Sequence, residues 1–339
     1  MTLLPLAVTM GDPAGIGPDI LLTAWAKSRA DLPPFAVYAA PDLLRQRATA
    51  LRLDIELALI QSPVDARAAF ASALPVVPLK LTKPVTAGAP DAAHATATIG
   101  SIDQAVAAVA RGEASAMVTN PIAKHVLYAA GFKHPGHTEY LGELAARHWP
   151  EQPAIAVMML VGPDLRVVPL TIHIPLARVP GAISQRLIVE TAVITIEALR
   201  TQFGITQPRL AVAGLNPHAG EGGTIGGEDE AIVRPAVATL AAMGHRVTGP
   251  HSADTLFHAA ARKTYDAALC MYHDQALIPL KTLAFDDGVN VTIGLPFVRT
   301  SPDHGTAFDI AGSGRARPDS FIAALQLAAR LAAAKGQTR

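Results

Sequence analysis

Short apolar runs alternate with amphipathic stretches along most of the chain. LPLAVTM (residues 4–10) leads into the turn GDPAGIGP (residues 11–18). DILLTAWAKSRA follows, with apolar positions at helical spacing. Pro18 suits the first turn of that helix. FAVYAA, PDLLRQRATAL and IELALI then predict strand, helix and strand. Such alternation builds a parallel sheet with helices on its faces. Residues 61–98 are rich in proline and alanine and read as irregular. Further on, SIDQAVAAVARGE predicts a helix and ASAMVTNPIAK a strand running into a polar turn. IAVMMLVG and LRVVPLTI, joined through Gly-Pro-Asp, predict a hairpin, so the sheet is expected to be mixed. Residues 181–203 predict a long helix whose Ile, Val and Thr content requires burial to hold it. RLAVAGLN predicts a strand, and DEAIVRPAVATLAAMG and SFIAALQLAARLAAAK predict helices.

Three histidines interrupt this pattern. His173 in PLTIHIPL, His218 in GLNPHAGEGG and His273 in CMYHDQALIPLK each follow an apolar run that reads as a buried strand. Loops at strand ends are where α/β proteins place their chemistry. Three imidazoles from three such ends can converge on one divalent metal, leaving a position for water or substrate. No pair among them has short ligand spacing, so local sequence alone leaves them open to structural roles.

Composition narrows the classes. The chain has 339 residues, half of them hydrophobic and 17% charged, which is enough for a large core and argues against disorder. Its 28 basic and 28 acidic side chains cancel, and no basic block is present to track a phosphate backbone, so no nucleic-acid partner is expected. No apolar run has the length of a membrane span. The single cysteine, Cys270, lies among apolar residues; it reads as a core side chain and fits a reducing cytoplasm.

Several polar loops carry further candidates. GDPAGIGP holds Asp12 and can present backbone N–H groups to an anion, although it is neither the dinucleotide fingerprint nor a P-loop. TNPIAK ends in Lys124, and PGHTEYL carries His137, Thr138 and Glu139; helix capping explains the latter group equally well. NPHAGEGGTIGGEDE (residues 216–230) has five glycines and reads as a ligand clamp. GPHSADTLF sets Asp254 beside His251 and Ser252, and YHDQALIPLK carries His273, Asp274 and Lys281. The segment from Val289 to Gly312 holds Asn290, Arg299, Asp303, His304 and Asp309.

Taken in order, GDPAGIGPDI, TNPIAK, PGHTEYL, LNPHAGEGG, GPHSADTLF, YHDQALIPLK and VNVTIGLPFVRTSPDHGTAFDIAG closely resemble the 4-hydroxythreonine-4-phosphate dehydrogenase family of vitamin B6 biosynthesis, from Gly11 to Gly312. The resemblance implies an α/β protein of two α/β/α domains with a deep interdomain cleft, similar to isocitrate and isopropylmalate dehydrogenases. The expected domains are 1–135 with 300–339, and 136–299, the second carrying the metal ligands and a dimer interface. A homodimer with active sites shared between subunits is implied. So are NAD or NADP and one divalent metal (Zn, Mg or Co) held by His173, His218 and His273. His137, Thr138, Lys281, Asn290 and Arg299 match the family's substrate-binding residues, and none is missing.

The implied reaction oxidises 4-phosphooxy-L-threonine at C3 and then decarboxylates it to 3-amino-2-oxopropyl phosphate, toward pyridoxal 5'-phosphate. Within it, Lys281 supplies a point charge for the carboxylate, phosphate or enolate. Arg299 holds an anionic group. Asp254 is the candidate for orienting a ligand or relaying the hydroxyl proton. Asn216, Gly222 and Gly223 are expected to touch the dinucleotide. The alternatives are a related metal-dependent dehydrogenase acting on a phosphoerythronate or a dihydrodiol acid, a phosphate acyltransferase on a similar scaffold, and a non-catalytic metabolite-binding protein.

Overall fold

A computed structural model describes residues 3–134, 136–152 and 154–337. Its strands are β1 (Leu6–Thr9), β2 (Phe35–Ala39), β3 (Leu57–Leu59), β4 (Leu74–Pro78), β5 (Met117–Val118), β6 (Val157–Val161), β7 (Arg166–Pro169), β8 (Arg209–Ala213), β9 (Arg246–His251), β10 (Ala267–Cys270), β11 (Val289–Ile293) and β12 (Arg299–Pro302). The chain divides into two compact units, residues 1–156 with 295–333, and residues 157–294 with 334–339.

In the first unit the strands run β3-β4-β2-β1-β5-β12, all parallel. The alternation of β1 and β2 sorts their side chains between two faces. On one face the Phe35 ring meets Phe70 at 5.0 Å and Phe321 at 6.5 Å, both edge-on; Phe321 belongs to the C-terminal helix Asp319–Gln337. On the other, Ala7, Ala36, Tyr38 and Met117 pack against Ile102, Ala105 and Val106 of helix Ala95–Ala110. Tyr140, Leu141 and Leu144 of helix His137–His148 join the same cluster. Helices therefore cover both faces. Each buried Leu or Ile contributes about 1.5–3 kcal/mol.

Two features depart from the sequence reading. Helix His137–His148 buries its apolar stripe in the first unit, so that unit runs to residue 156 and resumes at 295, not at the expected 135 and 300. The stretch 61–98 is also less irregular than its composition suggests. It contains β4, buried from Leu74 to Val77 and paired with both β2 and β3. Pro75 and Pro78 disguise this strand, because proline normally signals a break.

In the second unit the order is β11-β6-β7-β10-β8-β9. β6 is antiparallel to β11 and to β7, and β7, β10, β8 and β9 are mutually parallel. The predicted hairpin is the β6–β7 pair, and the mixed sheet follows from it. Helix His273–Leu283 packs Ala276 and Leu280 against Leu160, Val167, Ala268 and Cys270. Helix Gln185–Thr201 buries Ile188, Ala192, Ile196 and Leu199 and lies against β6, β8 and β11. Among the described residues no single helix is long and apolar enough to cross a membrane.

Candidate active site

The three histidines leave the carboxyl ends of adjacent parallel strands. β7 stops at Pro169, four residues before His173, and its neighbour β10 stops at Cys270, three before His273. β8, on the other side of β10, stops at Ala213, five residues before His218. Polar contacts tie these ends together. Thr171 Oγ1 donates to the Met271 carbonyl at 2.8 Å, Gln275 Nε2 donates to the Gly214 carbonyl at 2.7 Å, and Met271 N–H donates to Gln275 Oε1 at 2.7 Å.

His173 and His273 meet. Their ring centroids lie 5.9 Å apart at 42°, and both line a cavity of about 250 Å³ with Thr171, Ile174, Tyr272 and Asp274. That spacing suits two imidazoles on one ion, given metal–nitrogen bonds of about 2 Å. His273 Nδ1 lies 2.7 Å from Asp274 Oδ1, a contact that orients the ring through Nδ1.

His218 sits apart, with its Nδ1 3.7 Å from Glu221 Oε2 and its side chain 64% exposed. Among the described residues, no group of three His, Cys, Asp or Glu side chains could hold a metal. One chain thus supplies a pair and a separate third histidine.

Backbone strain concentrates on two of these ligand candidates. His173 and His218 have φ of 50° and 53°, in the left-handed region that only glycine adopts freely. His218 begins a run of six positive-φ residues, through Ala219, Gly220, Glu221, Gly222 and Gly223. The fully buried Asp229 carboxylate pins the start of this loop. It accepts from Leu215 N–H at 2.7 Å, from Asn216 N–H at 3.0 Å and from Asn216 Nδ2 at 3.0 Å. Asn216 Nδ2 also donates to Glu228 Oε2 at 2.9 Å. The Asn216 side chain is therefore part of the loop's frame. Gly222 and Gly223 leave open backbone, since a Cβ at Gly222 would meet nothing within 4 Å and one at Gly223 only Glu230 Cγ at 3.9 Å. Gly214 is indispensable for packing, as a Cβ there would stand 2.7 Å from Ala219 Cα.

Asp254 is held below the usual carboxylate range, chiefly by a hydrogen bond from Ser252 Oγ and in part by the His218 charge. A carboxylate kept ionised beside His218 is suited to a charge-pairing role. Lys281 lies on the same helix as His273, with Nζ 5.6 Å from the Phe285 ring centre. Asn290 stands on β11, paired with Leu160.

The first unit builds a second polar centre. Arg299, at the start of β12, is buried, and its Nε and Nη2 both donate to Thr119 Oγ1, at 3.1 and 2.6 Å. Burial pushes its pKa down to about 10, which leaves it cationic at neutral pH. His137 opens helix His137–His148, and its Nε2 is buried without a hydrogen-bond partner. Burial, then the charges of Arg299 and Lys124, hold this imidazole well below its ordinary pKa, so it is neutral. Thr138 stands in the same first turn. A buried guanidinium, a neutral imidazole and a helix N-terminus make a setting for an anion.

Thr119 and Lys124 carried no assigned role in the sequence. Both lie in TNPIAK, yet nothing local shows that Thr119 meets a residue 180 positions later.

The chain matches the family model "Pyridoxal phosphate biosynthetic protein PdxA" over residues 31–328. It is 57% identical over 331 residues to a 4-hydroxythreonine-4-phosphate dehydrogenase of Methylorubrum populi, covering 97% of this chain and 94% of that protein. A protein of the same name from Xanthobacter autotrophicus is 56% identical over 335 residues, covering 98% and 95%. The crystal structure of 4-hydroxythreonine-4-phosphate dehydrogenase from Klebsiella pneumoniae superposes with a TM-score of 0.87 at 38% identity, covering 98% of each chain. The motifs at both polar centres, the parallel strand ends that carry the histidines and these matches across nearly the whole chain agree: it belongs to the PdxA family of pyridoxal phosphate biosynthetic proteins.

Proposed function

We propose that the chain is an NAD(P)-dependent 4-hydroxythreonine-4-phosphate dehydrogenase. It would oxidise C3 of 4-phosphooxy-L-threonine, with hydride passing to the nicotinamide, and release CO₂ to give 3-amino-2-oxopropyl phosphate. The identity to relatives carrying that name is the main support. The observation within the chain that carries the reading is the setting of Arg299, His137 and Thr138, which suits a phosphorylated substrate.

Under this reading Arg299 and Thr138 hold the anionic end of the substrate. His137, being neutral, donates one hydrogen bond without competing for a proton. Lys281 and Asn290 complete the substrate contacts. Lys281 contributes a positive charge as the carboxylate departs and electrons move toward C3. Asp254 stays ionised and balances charge near His218.

His173, His218 and His273 would hold one divalent ion, of which Zn, Mg and Co are the candidates. The His173–His273 pair and the Asp274 contact fit such a group. When bound, the ion supplies Lewis acidity toward the oxygen at C3. The separation of His218 from the other two accords with a homodimer whose active sites take residues from both subunits. Gly222 and Gly223 offer open backbone to NAD or NADP, and Asn216 shapes the loop that presents them. A reducing cytoplasm suits the lone, buried Cys270.

Turnover of a substrate panel tests the assignment. The expected order places 4-phosphooxy-L-threonine at least tenfold in kcat/KM above a phosphoerythronate or a dihydrodiol acid. A reversed order would move the substrate to one of those acids.

A further inference from the structure

We propose that Lys124 is a further phosphate-binding residue of this chain, working with Arg299 and His137, and that the Glu139 carboxylate opposes the anion's entry. The inference rests on the phosphorylated-substrate reading above. It concerns a lysine that neither the resemblance nor the family's substrate residues assign.

Three observations converge. Gly136, the residue before helix His137–His148, supplies no side-chain cap. A Cβ built at Gly136 would lie 3.3 Å from Lys124 Nζ and 2.6 Å from Glu139 Oε2, so a cation and a carboxylate both reach the space in front of that helix. Lys124 also acts on His137 through its charge, as Arg299 does. Lys124 thus reaches the start of the helix that carries His137, whose Nε2 is buried and unpartnered, and the Arg299 charge acts on the same imidazole.

The chemistry specifies the ligand. Two cations beside a neutral imidazole repel each other unless an anion stands among them, and a phosphate dianion offers several acceptor oxygens. Lys124 is exposed, so its ammonium is hydrated and mobile enough to swing onto an entering phosphate. Glu139, also exposed, brings its carboxylate to the same point before the helix without forming an ion pair with Lys124, so its negative charge opposes an anion entering there. Gly136 leaves this space open, since a Cβ there would stand 2.6 Å from Glu139 Oε2 and displace it.

The test uses the full-length protein and two probes, inorganic phosphate by calorimetry and 4-phosphooxy-L-threonine by steady-state kinetics. Lys124→Met is expected to weaken phosphate binding by about 10- to 100-fold, the loss of one charge-assisted contact. It should raise KM for the substrate similarly and leave KM for the nucleotide unchanged. Lys124→Arg should restore most of the phosphate affinity. Glu139→Gln should bind phosphate more tightly than the wild type, an effect that a purely structural role of Glu139 would not produce. Wild-type phosphate affinity in Lys124→Met, weaker binding in Glu139→Gln or absence of saturable phosphate binding by the wild type would each overturn the inference. Phosphate binding is read without turnover, so failure of the substrate assignment shows separately, as a wild-type enzyme that binds phosphate yet does not oxidise the substrate.

Discussion

Replacing His218 with alanine is expected to remove bound metal and to lower turnover by about 10²- to 10⁴-fold, the several kcal/mol that a metal ion contributes to a transition state. The protein should remain folded. The His218 side chain is 64% exposed and packs in no core, so its removal leaves no cavity. The residue does occupy a left-handed backbone conformation, with φ 53°, and alanine is no more at ease there than histidine. Asparagine tolerates that conformation. His218→Asn is therefore the cleaner variant, with metal and activity lost and the melting temperature kept or raised. Metal content per chain, turnover and thermal unfolding check the three parts. Full activity in His218→Ala would sink the three-histidine proposal. Loss of activity with metal content unchanged would assign His218 a different task.

Arg299→Ala should lower kcat/KM for the phosphorylated substrate by at least about 10- to 100-fold, because a charged hydrogen-bond donor contributes about 1.5–3 kcal/mol. The guanidinium is buried and anchored twice to Thr119 Oγ1, so its orientation is set before any ligand arrives. Arg299→Lys keeps the charge but lacks the planar fork, and should recover only part of the loss. A second readout follows from the neighbouring imidazole. Arg299 is one of the charges that depress the His137 pKa, so removing it should move that pKa upward, measurable by titrating the ring with NMR. Unchanged kcat/KM in Arg299→Ala would take Arg299 out of the site.

Much of this was legible in the sequence, for identifiable physical reasons. The apolar runs around Val167, Val212 and Leu269 are buried on both sides, which makes a parallel strand readable as a continuous hydrophobic stretch. Their ends were marked by abrupt polarity, and His173, His218 and His273 stand there. The β6–β7 hairpin was readable from two apolar runs flanking Gly-Pro-Asp. What escaped was non-local. Strand β4 lay hidden under two prolines, and the apolar stripe of helix His137–His148 gave no sign of which unit it would join. The Thr119–Arg299 contact spans 180 residues and has no local signature. The left-handed run from His218 to Gly223 was foreshadowed by its glycines, yet the buried carboxylate of Asp229 that pins it could be found only in three dimensions. Nor could spacing reveal that His173 and His273 meet while His218 stands apart.

The most direct measurement is formation of reduced nucleotide from NAD⁺ or NADP⁺ with 4-phosphooxy-L-threonine, alongside CO₂ release, in protein stripped by chelator and then given Zn²⁺, Mg²⁺ or Co²⁺. The account predicts no turnover in the stripped protein, recovery with at least one of these ions, and one CO₂ for each nucleotide reduced. Equal turnover with and without chelator, or nucleotide reduction without CO₂, would contradict it.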